Sequence, residues 1–274
     1  MKISYRPEID GLRAIAVISV IFFHAKFTIF QGGFVGVDIF FVISGYLITS
    51  IILKDIIEKN FSLSNFYERR VRRILPALIF VILACIPAAW LLLLPHHYKD
   101  FNQSLVATVF FLSNYLFFLE SGYFSEASEL KPLLHTWSLA IEEQFYLLYP
   151  FIFIFINSKK KIISLLILLS IISLSLYFSD FPESYKFYYL PFRFFELSAG
   201  GIVYFISRNN VFNSKLSFLL LPLLVLILST NFLNFNDNLL IPVTILLTSL
   251  IILTDYKSNT FLIRFFENKF LVFF

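Results

Sequence analysis

Long apolar stretches recur along the whole chain, and no other feature constrains its fold as strongly. The stretches are 16 to 21 residues long, and about 20 apolar residues in a helix cross the roughly 30 Å hydrocarbon layer of a membrane. The chain as a whole is 58% hydrophobic and only 15% charged. These observations exclude an ordinary soluble domain and predict an all-α protein, a polytopic bundle of transmembrane helices.

The same stretches predict where the spans lie. Nine candidate segments cover residues 11–29, 36–53, 74–94, 103–119, 139–156, 162–178, 188–206, 216–232 and 239–254, and a further apolar run begins at Phe270. We expect one membrane domain over residues 1–274, C-terminally incomplete because the chain stops as the last run begins. The first stretch lacks the small-residue pattern of a signal-peptide cleavage site, so we expect it to remain in the membrane.

Basic residues predict the orientation of the spans, because cytoplasmic loops collect Lys and Arg. The stretch after the second segment is rich in such residues: Lys54, Lys59, Arg69, Arg70, Arg72 and Arg73. It is therefore predicted to be cytoplasmic, together with the N-terminus.

Segment 103–119 decides the orientation of everything that follows it. Its apolar run is interrupted by Gln103, Ser104, Thr108, Ser113 and Asn114. If it crosses the membrane, eight basic residues of the later loops face outward and Lys186 alone faces inward. If it enters and returns on the same side, eight basic residues face the cytoplasm and one faces outward. This second arrangement agrees with the excess of Lys and Arg in cytoplasmic loops. We predict a re-entrant segment, since polar backbone at membrane depth is tolerated where protein or a cavity surrounds it.

Charge and cysteine content exclude several classes of function. The net charge is +4, but the basic residues cluster in short loops as orientation signals do, so nucleic acid is not an expected partner. Cys85 is the single cysteine, which excludes an intramolecular disulfide and a thiol pair. The adjacent His96 and His97 fall in a predicted loop and make only a weak metal site by themselves, so we expect no metal site.

An arginine and a histidine stand inside the first apolar segment, IDGLRAIAVISVIFFH. Carrying an ionisable residue into hydrocarbon costs at least about 2.5 kcal/mol for arginine, so such residues usually line a bundle interior and serve function. Arg13 and His24 are separated by about 16 Å along a helix, which puts Arg13 near the cytoplasmic face and His24 deeper. Histidine is the side chain best suited to act as a general base near neutral pH. The alternative is an Arg13 that snorkels to the headgroups and a structural His24.

Four arginines in five positions precede the third segment, in FYERRVRRILPAL. Arg69, Arg70, Arg72 and Arg73 can serve as a topological anchor or contact anionic lipid. Arginine also grips phosphate oxygens through paired hydrogen bonds. A cytoplasmic phosphorylated donor would therefore suit this cluster.

Two further motifs place polar groups in apolar surroundings. In GGFVGVDIFFVISGYLIT, Asp38 calls for a cationic or hydrogen-bonding partner, for which His24 is a candidate. In LHTWSLAIEEQFYLLYP, Ser138 can cap a helix whose dipole would then account for Glu142. Glu142 and Glu143 point about 100° apart on a helix, so only one of them is expected to face a cavity.

Five motifs occur in a fixed order: IDGLRAIAVISVIFFH, GGFVGVDIFFVISGYLIT, FYERRVRRILPAL, LHTWSLAIEEQFYLLYP and LPFRFFELSAG. In this order they resemble the successive signatures of the acyltransferase family 3 membrane proteins, over nearly the whole chain. The resemblance implies a multi-pass enzyme of the bacterial cytoplasmic membrane that O-acylates, most often O-acetylates, surface polysaccharides. The acyl group would come from cytoplasmic acyl-CoA, here acetyl-CoA, and pass to a glycan or glycolipid acceptor across the lipid bilayer.

The resemblance also implies roles for single residues. Arg13 and His24 correspond to the family's Arg and His pair, with His24 catalytic. Arg69 and Arg72, or equally Arg70 and Arg73, correspond to its paired-arginine motif.

Our own candidates complete the site. Asp38 or Glu142 would orient the imidazole in the manner of a triad member, and Ser44, His135 and Trp137 are candidate substrate contacts. The arginines would hold the phosphates of acetyl-CoA while its pantetheine arm extends into the bundle. His24 would then either deprotonate a sugar hydroxyl or carry the acyl group briefly, and the sequence leaves both routes open.

Two other interpretations stay open. The first is a proton-coupled transporter or flippase of a glycolipid or small metabolite, with His24, Asp38 and Glu142 as a proton relay. The missing internal repeat and the arginine cluster weigh against it. The second is a scaffold subunit in the assembly of surface polysaccharide.

Overall fold

The computed structural model describes residues 6–121, 131–207, 214–229 and 237–254, and these residues are overwhelmingly helical. The α-helices are α1 (Pro7–His24), α2 (Gly36–Ile57), α3 (Leu63–Leu92), α4 (Pro95–Val109), α5 (Ser113–Leu119), α6 (Thr136–Phe155), α7 (Lys159–Tyr177), α8 (Glu183–Tyr188), α9 (Leu190–Ser207), α10 (Ser214–Ser229) and α11 (Asp237–Ile252). Two 3₁₀ turns, Thr28–Phe30 and Gly33–Val35, connect α1 to α2. The predicted all-α class is confirmed.

Among the described residues, four helical stretches are long and apolar enough to cross a membrane: Gly33–Ile57, Leu63–Leu92, Thr136–Phe155 and Lys159–Tyr177. They contain α2, α3, α6 and α7, which overlap the predicted segments 36–53, 74–94, 139–156 and 162–178. Two shorter apolar helices cover Leu219–Ser229 and Leu239–Ile252. The predicted total of nine segments is not confirmed, and the run beginning at Phe270 lies outside the described residues.

The segment predicted to be re-entrant is not one continuous helix. It contains the second half of α4 and all of α5, and Phe111 lies between them with a φ of 54°. This left-handed backbone conformation is uncommon for a residue with a side chain, and it interrupts the helical hydrogen-bond ladder. The break allows the chain to change direction there, but the re-entrant topology stays a prediction.

The arginine cluster lies in a helix rather than in the loop that we expected. The third predicted segment begins at residue 74, whereas α3 begins at Leu63 and runs for 30 residues. Leu, Glu and Arg are strong helix formers, and Glu68 pairs with Arg72 one turn later, so the basic stretch extends the apolar helix. Pro76 and Pro87 lie inside α3.

The chain divides into two compact units. Unit 1 comprises Met1–Lys54, Ser158–Ile172 and Phe194–Phe274. Unit 2 comprises Asp55–Asn157 and Ser173–Arg193. The assignment of residues 1–274 to one domain stays a prediction.

Unit 1 contains a backbone-to-backbone contact between α2 and α9, which we call the glycine seam. A Cβ atom on Gly45 would overlap the carbonyl oxygen of Leu197, and one on Gly200 would overlap that of Val42. Small residues at such positions are what lets membrane helices approach closely. Arg6 connects three parts of this unit. It contacts Glu8 and the Tyr46 hydroxyl, and it donates a hydrogen bond to the carbonyl of Ile252 at 2.7 Å.

Unit 2 is built around the packing of α3, α4, α5, α6 and α8. The Tyr67 hydroxyl of α3 donates to the carbonyl of Leu147 of α6 at 2.9 Å. Asn114 of α5 donates to the carbonyl of Tyr188 at 2.9 Å, and it accepts a hydrogen bond of the same length from Gln144 of α6. Polar side chains therefore join the helices of this unit.

Candidate functional site

The predicted site residues are divided between the two units. Unit 1 contains Arg13, His24, Asp38 and Ser44, and unit 2 contains Arg69, Arg70, Arg72, Arg73, His135, Trp137 and Glu142.

His24 is the last residue of α1, and its side chain is exposed. The predicted span continued to residue 29, but the helix ends five residues earlier and Lys26 adopts a left-handed φ of 59°. The imidazole contacts the ring of Phe23 edge-on, with 5.1 Å between the ring centroids. His24 therefore stands exposed at the end of α1, rather than in the middle of a helix.

Arg13 lies on the same helix, about 16 Å before His24 along the axis. Its guanidinium is 3.7 Å from the carboxylate of Asp10, one turn earlier, and both side chains are about one-third exposed. The charge of Arg13 is therefore partly balanced within α1.

Asp38 is buried, with 2% of its surface exposed. It is the third residue of α2, and a helix N-terminus stabilises a carboxylate in its first turn. This position accounts for part of the cost of burying its charge. Ser44, further along the same helix, is partly buried.

Burial separates the four arginines of α3 into two groups. Arg69, Arg72 and Arg73 are exposed, whereas Arg70 exposes only 9% of its surface. Arg69 pairs with Asp55, and Arg72 pairs with Glu68 at 2.7 Å. The cluster therefore presents three cations on its surface and directs one into the protein.

Arg70 points toward α6, where its charge interacts with Glu143 and Tyr146. Tyr67 of α3 donates a hydrogen bond to Leu147 of α6, and Arg70 of α3 interacts with Glu143 of α6. The contact moves toward the C-terminus on α3 and toward the N-terminus on α6, so the two helices run in opposite directions. We call this contact, made by Tyr67 and Arg70 of α3 with Glu143, Tyr146 and Leu147 of α6, the polar seam. The Nε of Arg70 and the Oε1 of Glu143 are buried and make no hydrogen bond to the described residues.

Glu142 accepts a hydrogen bond from the Tyr146 hydroxyl, one turn later on α6. The cap that we predicted for this helix is wrong, because α6 begins at Thr136 and Ser138 donates instead to the carbonyl of His135 at 3.2 Å. Glu142 is thus in the second turn, where the helix dipole has already weakened. The helix dipole therefore does not explain this carboxylate.

The sequence did not single out Glu143, whose carboxylate belongs to the polar seam. The 100° angle between adjacent helical residues indicated that one of Glu142 and Glu143 would turn inward, but not which. The rotation of α6 about its own axis, set by packing, makes that choice.

His135 and Trp137 differ in their surroundings. His135 is exposed just before α6, whereas Trp137 exposes 6% of its surface. The indole packs on Phe187, with 4.2 Å between centroids, and the Arg193 guanidinium lies 5.7 Å from its ring. This packing gives Trp137 a structural role, and substrate contact by either residue stays a prediction.

Metal ligation has no support from the geometry of the described residues. Within ranges 6–121, 131–207, 214–229 and 237–254, no three His, Cys, Asp or Glu side chains are grouped as a metal site requires.

Comparison with known proteins gives a family match and related sequences. A family model described as an acyltransferase domain matches residues 6–273. The O-acetyltransferase OatA of Staphylococcus aureus strain NCTC 8325 / PS 47 is 40% identical over 177 residues, 63% of this chain and 29% of that protein. "Putative O-acetyltransferase SAS0844" of strain MSSA476 is 36% identical over 297 residues, 99% of this chain and 48% of that protein. The chain thus spans less than half of either relative, and no solved structure matches it.

Proposed function

The chain belongs to the acyltransferase domain family, and on that premise we propose that it is a membrane-bound O-acetyltransferase. It transfers an acetyl group from cytoplasmic acetyl-CoA to a hydroxyl of an extracytoplasmic glycan such as lipopolysaccharide, capsule, exopolysaccharide or peptidoglycan. It does so in the bacterial cytoplasmic membrane, with its N-terminus in the cytoplasm. The observation that carries this proposal is the family match over residues 6–273, which includes every candidate site residue.

The exposed arginines of α3 are our candidates for binding the donor's phosphates. Two of them, Arg69 and Arg72, are paired with Asp55 and Glu68 at the protein surface. The Arg72–Glu68 pair is exposed on both sides, and such pairs contribute only about 0–1 kcal/mol, so a phosphate can replace Glu68 at little cost. Arg70 is buried, so the three exposed arginines are better placed than Arg70 to bind the phosphates.

His24 is our candidate general base. Its imidazole takes the proton of an acceptor hydroxyl as the hydroxyl oxygen attacks the thioester carbonyl carbon. The carbon–sulfur bond then breaks, and the departing CoA thiolate takes a proton from the imidazolium. In the alternative route the imidazole nitrogen attacks the thioester carbonyl carbon first, the carbon–sulfur bond breaks and the CoA thiolate leaves an acyl-histidine. The acceptor hydroxyl oxygen then attacks this acyl group, the imidazole is released, and the hydroxyl proton neutralises the thiolate. Asp38, in the same unit, is the candidate for orienting the ring, and the same role for Glu142 stays a prediction.

Replacing the histidine tests the proposal. His24→Ala should lower acetyl transfer by about 10²–10⁴-fold, the usual contribution of a general base, without lowering the amount of folded protein. The measurement is mass spectrometry of surface glycans together with transfer of labelled acetate from acetyl-CoA, and His96→Ala is the control. Wild-type transfer by His24→Ala would refute the assignment. Accumulation of a glycolipid in vesicles without a covalent product would favour the transporter instead.

A further inference from the structure

The polar seam contains a hydrogen-bond donor and an acceptor that the described residues do not use. The donor is the Nε of Arg70, a side chain with 9% of its surface exposed, and the acceptor is the Oε1 of Glu143. Leaving a buried polar group without a hydrogen bond costs about 1–3 kcal/mol. Buried polar atoms in folded proteins are bonded with few exceptions, so an unused pair on facing helices calls for an explanation.

The two tyrosine hydroxyls of the seam are already engaged in hydrogen bonds. The Tyr67 hydroxyl donates to the carbonyl of Leu147, and the Tyr146 hydroxyl donates to Glu142. The charges of Arg70 and Glu143 attract each other, yet the Nε and Oε1 atoms are not hydrogen-bonded. The seam thus offers one N–H and one carboxylate oxygen from opposite helices, and a group inserted between them must accept one hydrogen bond and donate the other.

A secondary amide has this composition. It carries one N–H donor and one carbonyl acceptor, so its carbonyl can accept from Arg70 while its N–H donates to Glu143. The pantetheine arm of acetyl-CoA contains two such amides, a few bonds beyond the pyrophosphate. Arg73, on the exposed side of α3, is three residues from Arg70, which is about 4.5 Å along the helix axis. A donor held by its phosphates at the exposed arginines therefore carries its amides toward the seam.

We infer that Arg70 and Glu143 form a binding site for an amide of the donor's pantetheine arm. This inference rests on the proposed function, and it assigns Arg70 a role different from that of the three exposed arginines. The exposed arginines recognise phosphate, which CoA possesses and pantetheine lacks. Arg70 and Glu143 recognise an amide of the pantetheine arm, which CoA and pantetheine share.

The test compares donors that have or lack the phosphates, and donors that have or lack each amide N–H. The full chain in lipid nanodiscs is titrated with acetyl-CoA, with S-acetylpantetheine and with two singly N-methylated S-acetylpantetheines, one for each amide. The variants are Glu143→Leu, Glu143→Gln and Arg73→Gln. Glu183→Leu, at an exposed carboxylate on α8, is the matched control. Thermal unfolding of every variant reports whether it is folded.

We expect one of the two N-methylated donors to bind wild-type protein about 10-fold more weakly than its parent, the effect of one lost hydrogen bond to a charged group. Glu143→Leu should bind the parent and that methylated donor equally weakly, whereas Glu143→Gln keeps an acceptor oxygen and should stay within about 3-fold of wild type. Arg73→Gln should weaken acetyl-CoA alone. The control should match wild type with every donor.

The two proposals fail in different ways. Wild-type protein that binds acetyl-CoA and S-acetylpantetheine, but binds both methylated donors as tightly as their parent, overturns the amide site alone. This arm needs no variant, so it decides even if Glu143→Leu does not fold. A Glu143→Leu protein that loses affinity for acetyl-CoA but not for S-acetylpantetheine also overturns it. Wild-type protein that binds neither donor overturns the donor assignment and the amide site together.

Discussion

The glycine seam and the polar seam solve the same problem in opposite ways. Helices in a membrane gain little from the hydrophobic effect when they associate, so close packing and interhelical hydrogen bonds must hold them together. In the glycine seam of unit 1, the backbones of α2 and α9 touch at Gly45 and Gly200. In the polar seam of unit 2, α3 and α6 meet through Arg70, Glu143 and the Tyr67 hydroxyl. The first contact cannot accept an added atom, whereas the second carries charges that packing alone does not require.

The largest effect should come from filling the glycine seam. Gly45→Val or Gly200→Val places side-chain atoms where a backbone carbonyl already lies, and overpacking of this kind should cost about 3 kcal/mol or more. Folded protein recovered from membranes and its melting temperature in detergent measure the effect. Ile206→Val, at an exposed position on α9, is the control. A melting temperature equal to that of wild type would show that the backbones do not touch.

Removing one charge of the polar seam should have the next largest effect. Arg70→Ala leaves the Glu143 carboxylate partly buried without its cation, which we expect to cost about 2 kcal/mol. The double variant Arg70→Met with Glu143→Leu should recover stability to within about 1 kcal/mol of wild type, because apolar replacements of a buried pair are often neutral. Thermal unfolding of the single and double variants measures both. A double variant less stable than Arg70→Ala would contradict the contrast between the seams.

Removing a single hydrogen bond from the polar seam should have a smaller effect. Tyr67→Phe deletes the hydroxyl that donates to Leu147 and should lower the free energy of unfolding by about 1 kcal/mol. Tyr98→Phe is the matched control, since the ring of Tyr98 contacts Trp90 and Phe101, at 5.6 Å and 6.0 Å between ring centroids, and the substitution keeps the ring. Equal melting temperatures for the two variants would show that this bond does not hold α3 to α6.

The smallest effect should come from the exposed side of α3. Glu68→Gln removes the partner of Arg72, which should change stability by only about 0.5 kcal/mol or less. The same change frees a guanidinium for phosphate and should tighten acetyl-CoA binding about 2-fold, which a titration in nanodiscs measures. Weaker binding by Glu68→Gln would exclude Arg72 from the donor site.

The sequence predicted the helical class and the apolar helices, because length and composition determine both. It did not predict that charged residues extend α3 at its N-terminal end. It also did not predict that α1 ends at His24, two residues before Lys26 with its left-handed backbone. For the candidate site it indicated the arginine cluster and two adjacent glutamates, whose roles stay predictions. It could not assign Arg70 and Glu143 to the interior, because the rotation of a helix about its axis depends on its neighbours rather than on its own residues.

The proline at position 76 separates the basic stretch of α3 from its apolar remainder. Proline has no backbone N–H, so the carbonyl of Arg72 receives no helical hydrogen bond from it, and the helix bends easily at this point. The basic part of α3, residues 63–75, can therefore tilt as one rigid piece about this bend. Because Arg70 and Arg73 lie on the same side of Pro76, a ligand that displaces Arg73 displaces Arg70 in the same movement.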